Sequence, residues 1–128
     1  MYPRTLLVLS GLIEVATGIA LLLAPAFVVA LLLGVVPDTD AVLFVVCRVA
    51  GVALLAIGVI CGLSRFNAST ALLAGLLLYN AGVAVLLLAY AIGGHGGLAL
   101  WPAFVIHAVI ALWSGALLSG ARRKHAST

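Results

Sequence analysis

The sequence predicts an all-α protein, an antiparallel four-helix transmembrane bundle with a short extra helix after the first span. Three observations carry this reading. Of 128 residues, 66% are hydrophobic and 7% charged, whereas soluble domains are about 45–50% apolar and about 25% charged. The apolar residues fall into four long runs separated by polar or glycine-rich breaks. Lys and Arg gather at one set of ends and are missing from the other. So short a chain cannot hide this much apolar surface in a water-facing globule. Composition therefore excludes a soluble enzyme, a disordered chain and a disulfide scaffold.

The first span is expected over residues 5–23. Arg4 followed by an apolar run resembles a secretory signal, and Ala24-Pro25-Ala26 its cleavage site. Glu14 inside the run and a proline at the would-be cleavage site argue for a retained helix instead. The apolar stretch from Leu6 to Val36 exceeds the length of one span, which is about 20 residues. Pro25 divides it, because proline lacks a backbone donor and is best tolerated in a first helical turn. A short interfacial or folded-back helix over 25–33 follows, with one long helix kinked at Pro25 as the alternative. Gly34, Pro37, Asp38 and Asp40 end it. The second span is expected over 41–63. It stops at the polar turn Ser64-Arg65-Phe66-Asn67, after which Asn67 or Ser69 can cap the third span, over 70–92. Four glycines around His95, residues 93–97, break that helix. The fourth span is expected over 98–119, where Gly120 leads into a basic tail. No internal repeat or linker divides this single integral membrane domain.

Four spans put both termini on one side. Arg4, Arg65, Arg122, Arg123 and Lys124 all fall on that side, and the other side holds Asp38, Asp40 and His95 without Lys or Arg. By the positive-inside rule both termini are cytoplasmic. The net charge of +3 is thereby read as topology and not as a nucleic-acid patch. Tyr2, Tyr90 and Trp101 lie near span ends, where aromatic rings anchor at headgroup depth. Cys47 and Cys61 are 14 residues apart on one helix, about 21 Å, too far to bridge. They are expected to be small buried hydrophobes.

Outside the breaks there is one strongly polar residue per span: Glu14, Arg48, Asn80 and His107. A charge at mid-bilayer costs about 2.5–3.5 kcal/mol on insertion scales, so Glu14 and Arg48 are expected to face inward and pair. Counted from the cytoplasmic ends, Glu14, Asn80 and His107 lie about 14, 15 and 18 Å deep and Arg48 about 23 Å. Small residues share their stripes. Gly11 and Gly18 flank Glu14. Gly51, Leu55, Gly58 and Gly62 follow Arg48, and Gly58 and Gly62 form a GxxxG. Ala103, Ala111 and Ser114 accompany His107. Such residues let membrane helices approach closely. On the third span Asn80 and Ala84 share a face, with Gly75, Tyr79 and Gly82 on the neighbouring one. Glu14 and His107 supply at most two metal ligands beside a positive Arg48, so no metal or other cofactor is expected. His95 is read as a solvated loop residue and His125 as a tail residue. No nucleophile constellation is visible, and the reading leans against an enzyme.

Several segments together are suggestive: Gly-Leu-Ile-Glu-Val-Ala-Thr-Gly at 11–18, Ala-Pro at 24–25, Arg-Val-Ala-Gly at 48–51, Leu-Tyr-Asn at 78–80, and Leu-Trp-Pro-Ala at 100–103 with His107. They resemble a group of small bacterial four-helix integral membrane proteins of uncharacterised activity. The layout is also similar to that of the DoxX-like membrane proteins, without a motif that would bring over that group's oxidoreductase association. The resemblance implies a bacterial inner (plasma) membrane protein. Two uses of the four-residue cluster follow. In an accessory or scaffold protein it locks helix packing. In a proton-coupled carrier or binding protein for a small molecule or ion, Glu14 and His107 exchange protons, Arg48 holds a polar group and Asn80 orients it. A third reading is a membrane subunit of a redox complex. Expected partners are the lipid bilayer and a homodimer or larger membrane complex, and not nucleic acid.

Overall fold

The computed structural model describes residues 3–35 and 41–126, the last five by backbone alone. The elements are α1 (Pro3–Leu23), α2 (Pro25–Leu33), α3 (Ala41–Leu63), α4 (Thr70–Ile92) and α5 (Leu100–Ala126). α1, α3, α4 and residues 100–121 of α5 are each long and apolar enough to cross a bilayer, with mean hydropathies of 2.3, 2.6, 2.2 and 1.8. Their outer surface is apolar as well: Leu12, Val42, Leu78, Leu86 and Leu112 are among the exposed side chains. This is a small multi-pass membrane protein. Pro37, Asp38 and Asp40 lie outside the described residues, as does Tyr2, and the side chains of Arg122, Arg123, Lys124 and His125 lie outside them too.

Local chemistry sets the helix ends. Ala24 leaves the helical region at φ −139° and ψ 58°, and Pro25 opens α2. The first apolar stretch is therefore two helices and not one kinked rod. Gly34 closes α2 in the left-handed region at φ 74°, its N–H returning to the Ala30 carbonyl, a conformation glycine adopts without a Cβ penalty. Ser69 caps α4, its Oγ accepting from the Leu72 N–H at 3.1 Å. The fourth span departs from expectation at both ends. Residues 98–99 precede the helix, and α5 runs through Gly120 to Ala126. A lone glycine in a helix costs about 1 kcal/mol, too little to stop it.

The bundle is built as two close pairs, α1 on α3 and α4 on α5. The α1–α3 register repeats every seven residues. A Cβ on Gly11 would lie 3.1 Å from the Gly58 carbonyl oxygen, and one on Gly18 would lie 2.7 Å from that of Gly51. Within the expected GxxxG the tight contact is at Gly58, whereas a Cβ on Gly62 would meet open space. Two apolar clusters join the pairs. Leu6, Leu73, Ile110 and Leu118 link α1, α4 and α5, and Leu7, Cys61 and Leu76 link α1, α3 and α4. Both cysteines are buried and free. Arg4 and Arg65 lie over the Phe66 ring, 4.8 and 4.6 Å from its centre. The start of α1 and the α3–α4 turn therefore share one end of the bundle.

α2 closes the opposite end. A helix leaves its last four carbonyls without intrahelical donors, and in a membrane each must find one. Gly34 N–H serves Ala30. Ala99 N–H and Gly97 N–H donate to Leu31 and Leu32 at 2.9 and 3.0 Å. The Tyr90 hydroxyl donates to Leu33 at 3.2 Å. This docking explains the glycine run. A Cβ on Gly97 would collide with the Leu31 carbonyl, and Gly94 and Gly96 hold φ of 79° and 142°. Tyr90 is thus tied to α2 as well as lying near a span end. His95 is exposed, its ring 5.2 Å from that of Tyr90.

Candidate functional site

The buried stripe of α1 runs Leu6, Leu7, Ser10, Gly11, Glu14 and Gly18. Gly11 and Gly18 seat this stripe on α3, while Ser10 and Glu14 sit between the two helix pairs. Glu14 lies 11 residues along a 21-residue helix, so it is at mid-span. It is 1% exposed. The Tyr79 hydroxyl of α4 donates to Glu14 Oε2 at 3.2 Å. Beside Tyr79, Asn80 is fully buried. Its Nδ2 donates to the Leu76 carbonyl at 2.9 Å, and its Oδ1 meets His107 Nδ1 of α5 at 2.8 Å. The Tyr79 and His107 rings stand edge to face, 5.7 Å apart at 80°. The cluster brought together is therefore Glu14, Tyr79, Asn80 and His107, from three helices.

Arg48 is not part of it. It lies on an exposed flank of α3 and makes no ion pair or hydrogen bond among the described residues, so the expected Glu14–Arg48 pair does not form. The centre of the α1–α3 contact runs through Cys47, Gly51, Gly58 and Cys61. Arg48, one residue past Cys47, is turned about 100° away at 3.6 residues per turn. It lies about 10 Å from the start of α3. Helical side chains lean toward their own N-terminus, which carries a long guanidinium toward the near headgroup layer.

Ser10 Oγ, Glu14 Oε1, Trp113 Nε1 and Ser114 Oγ are buried without a hydrogen-bond partner among the described residues. A buried polar atom left without a partner costs about 1–3 kcal/mol. Counted along their helices from the Arg4 end, Ser10 and Ser114 share a level about 10 Å deep, with Glu14 one turn further in.

On the α2 side of His107 lies a chamber of about 400 Å³, walled by α1, α2, α4 and α5. Ligand pockets start at about 300 Å³, so its volume is sufficient for a small molecule. Its wall is apolar except for Thr17 and His107. Its mouth is apolar too, for the lining residues Phe27, Leu31 and Ile106 are 64%, 36% and 40% exposed. The α2–loop hydrogen bonds close the end toward His95. The chamber opens sideways, onto the surface that faces lipid.

Tyr79 and Thr17 join this site without having been singled out as polar candidates. A signal for Tyr79 was present. It stands mid-span, away from the headgroup depth that tyrosines favour, next to the one Asn in the run. No group of three His, Cys, Asp or Glu residues able to hold a metal occurs among the described residues. No known protein family, curated protein or solved structure matches the chain.

Proposed function

We propose that this membrane protein binds a small lipid-soluble molecule in the chamber beside His107. The observation that carries the reading is the chamber itself, open to lipid, with the Asn80–His107 side-chain hydrogen bond ending in its wall. Thr17 and His107 touch the occupant, Asn80 holds the imidazole, and the Tyr79–Glu14 bond backs the ring from behind. These cross-helix bonds also fix how α1, α4 and α5 pack. Among the earlier alternatives this is the binding or carrier reading, with Arg48 moved from the site to the bilayer face. Lateral access favours exchange with the bilayer over passage from water to water. The clustering of Arg4 and Arg65 at one end supports cytoplasmic termini.

The test is occupancy. The chain is purified gently from its native membrane and examined by native mass spectrometry beside Ala103→Phe, which fills the chamber. The expected result is a stoichiometric small molecule on the wild type that the variant loses while keeping its helical circular dichroism. The same lipid complement on both proteins would refute the reading.

A further inference from the structure

We infer that the molecule in this chamber presents a hydrogen-bond donor, a hydroxyl on an apolar body, to Nε2 of His107. The inference rests on the binding reading above and adds the chemistry of the head group.

The argument starts at Asn80. Its Nδ2 donates to the Leu76 carbonyl at 2.9 Å. Turning the amide over would set two oxygens against each other, so the orientation is chemically determined. Oδ1 therefore faces His107 Nδ1, at 2.8 Å. An amide oxygen only accepts, so the hydrogen in this contact sits on Nδ1. A neutral imidazole carries a hydrogen on one nitrogen alone, and Nε2 is left with its lone pair. That atom has no hydrogen-bond partner among the described residues, and His107 is one of the residues that line the chamber.

The neighbours do not supply the missing donor. The Tyr79 hydroxyl is committed to Glu14, and its ring meets His107 edge to face, which holds the imidazole plane. Asn80 is thus a positioning residue that sets which nitrogen the chamber sees. A ketone, ester or quinone carbonyl would place lone pair against lone pair. An alcohol, phenol or hydroquinone completes the bond, while its apolar body fills the rest of the wall.

The test compares 4-nonylphenol with its methyl ether, 4-nonylanisole, which differs by the loss of the donor. The full chain, labelled with ¹⁵N-histidine, is placed in lipid nanodiscs, and affinities are referred to mole fraction in the lipid. The His107 signals are assigned by their loss in His107→Phe. In the free protein Nδ1 is expected protonated and Nε2 bare. The phenol should shift the Nε2 resonance and bind about fivefold or more tightly than the ether, the worth of about 1 kcal/mol for one net hydrogen bond. In His107→Phe the preference should fall to within about twofold, and Asn80→Leu should release a mixture of tautomers. If that variant or His107→Phe does not fold, the wild-type tautomer and the phenol-to-ether ratio decide alone. A protonated Nε2 in the free protein overturns the inference, as does equal binding of the two probes, which would leave the chamber a site without this head-group preference. Binding of neither probe overturns the binding reading together with the inference.

Discussion

Gly18 offers the sharpest test of how the helices meet. A Cβ there would lie 2.7 Å from the Gly51 carbonyl oxygen and 3.1 Å from the Leu55 backbone nitrogen. Both are backbone atoms, so relief requires α1 and α3 to move apart. Separation would also loosen the second close approach, at Gly11 and Gly58, seven residues along each helix. Gly82 in α4 is the control, because a Cβ there meets nothing within 4 Å. Alanine in place of a helical glycine brings about 1 kcal/mol of propensity at either site. That contribution cancels in the difference between the two variants. What remains is the cost of overpacking, about 1–3 kcal/mol. Gly18→Ala should therefore be less stable than Gly82→Ala by about 2 kcal/mol in reversible unfolding by denaturing detergent, followed by circular dichroism. Stabilities within about 0.5 kcal/mol of each other would mean that α1 and α3 are not in backbone contact at this point.

Two further outcomes separate this arrangement from its rivals. Breaking a buried ion pair costs about 3–5 kcal/mol, but Arg48 is exposed and has no partner among the described residues. Arg48→Leu should therefore change unfolding stability by less than about 0.5 kcal/mol, and a loss of several kcal/mol would restore the interior pairing that the sequence led one to expect. Tyr79→Phe should cost about 1–3 kcal/mol by leaving Glu14 with no donor, whereas Glu14→Gln keeps an oxygen for the Tyr79 hydroxyl and should cost less. A double-mutant cycle on the two positions should give a coupling energy of at least about 0.5 kcal/mol, and additive effects would count against the bond.

Much of the architecture is legible in the chain because membrane constraints act locally. A bilayer demands spans of about 20 apolar residues. Pro25, Gly34, Ser69 and the glycine run then place the breaks by backbone chemistry that depends on few neighbours. The fourth helix marks the limit, since Gly120 looks like a terminus and is only a modest cost inside a long helix. The membership of Glu14, Asn80 and His107 in the cluster was also within reach, because a strongly polar side chain in a span has few places to go other than inward.

Rotation about the helix axis was not within reach in the same way. In a soluble helix the apolar stripe marks the buried face. Here both faces are apolar, so the stripe carries little information, and spacing alone puts Arg48 with Gly51, Leu55 and Gly62. The angle is decided by where two backbones can touch. Gly18 on Gly51 and Gly11 on Gly58 turn Cys47 inward and leave Arg48 on the flank. The same contact presents Glu14 to the other helix pair, where Tyr79 and not Arg48 meets it. The chamber has a similar origin. Its walls come from four helices, and α2 closes it only because Gly97 and Ala99 supply donors to carbonyls more than sixty residues earlier. Composition, helix breaks and the split of charge between the two ends are determined by the sequence itself, through solvation and local backbone chemistry. Which polar groups meet, and what space they border, is decided only when helix surfaces compete for close contact in a solvent that does not distinguish one apolar face from another.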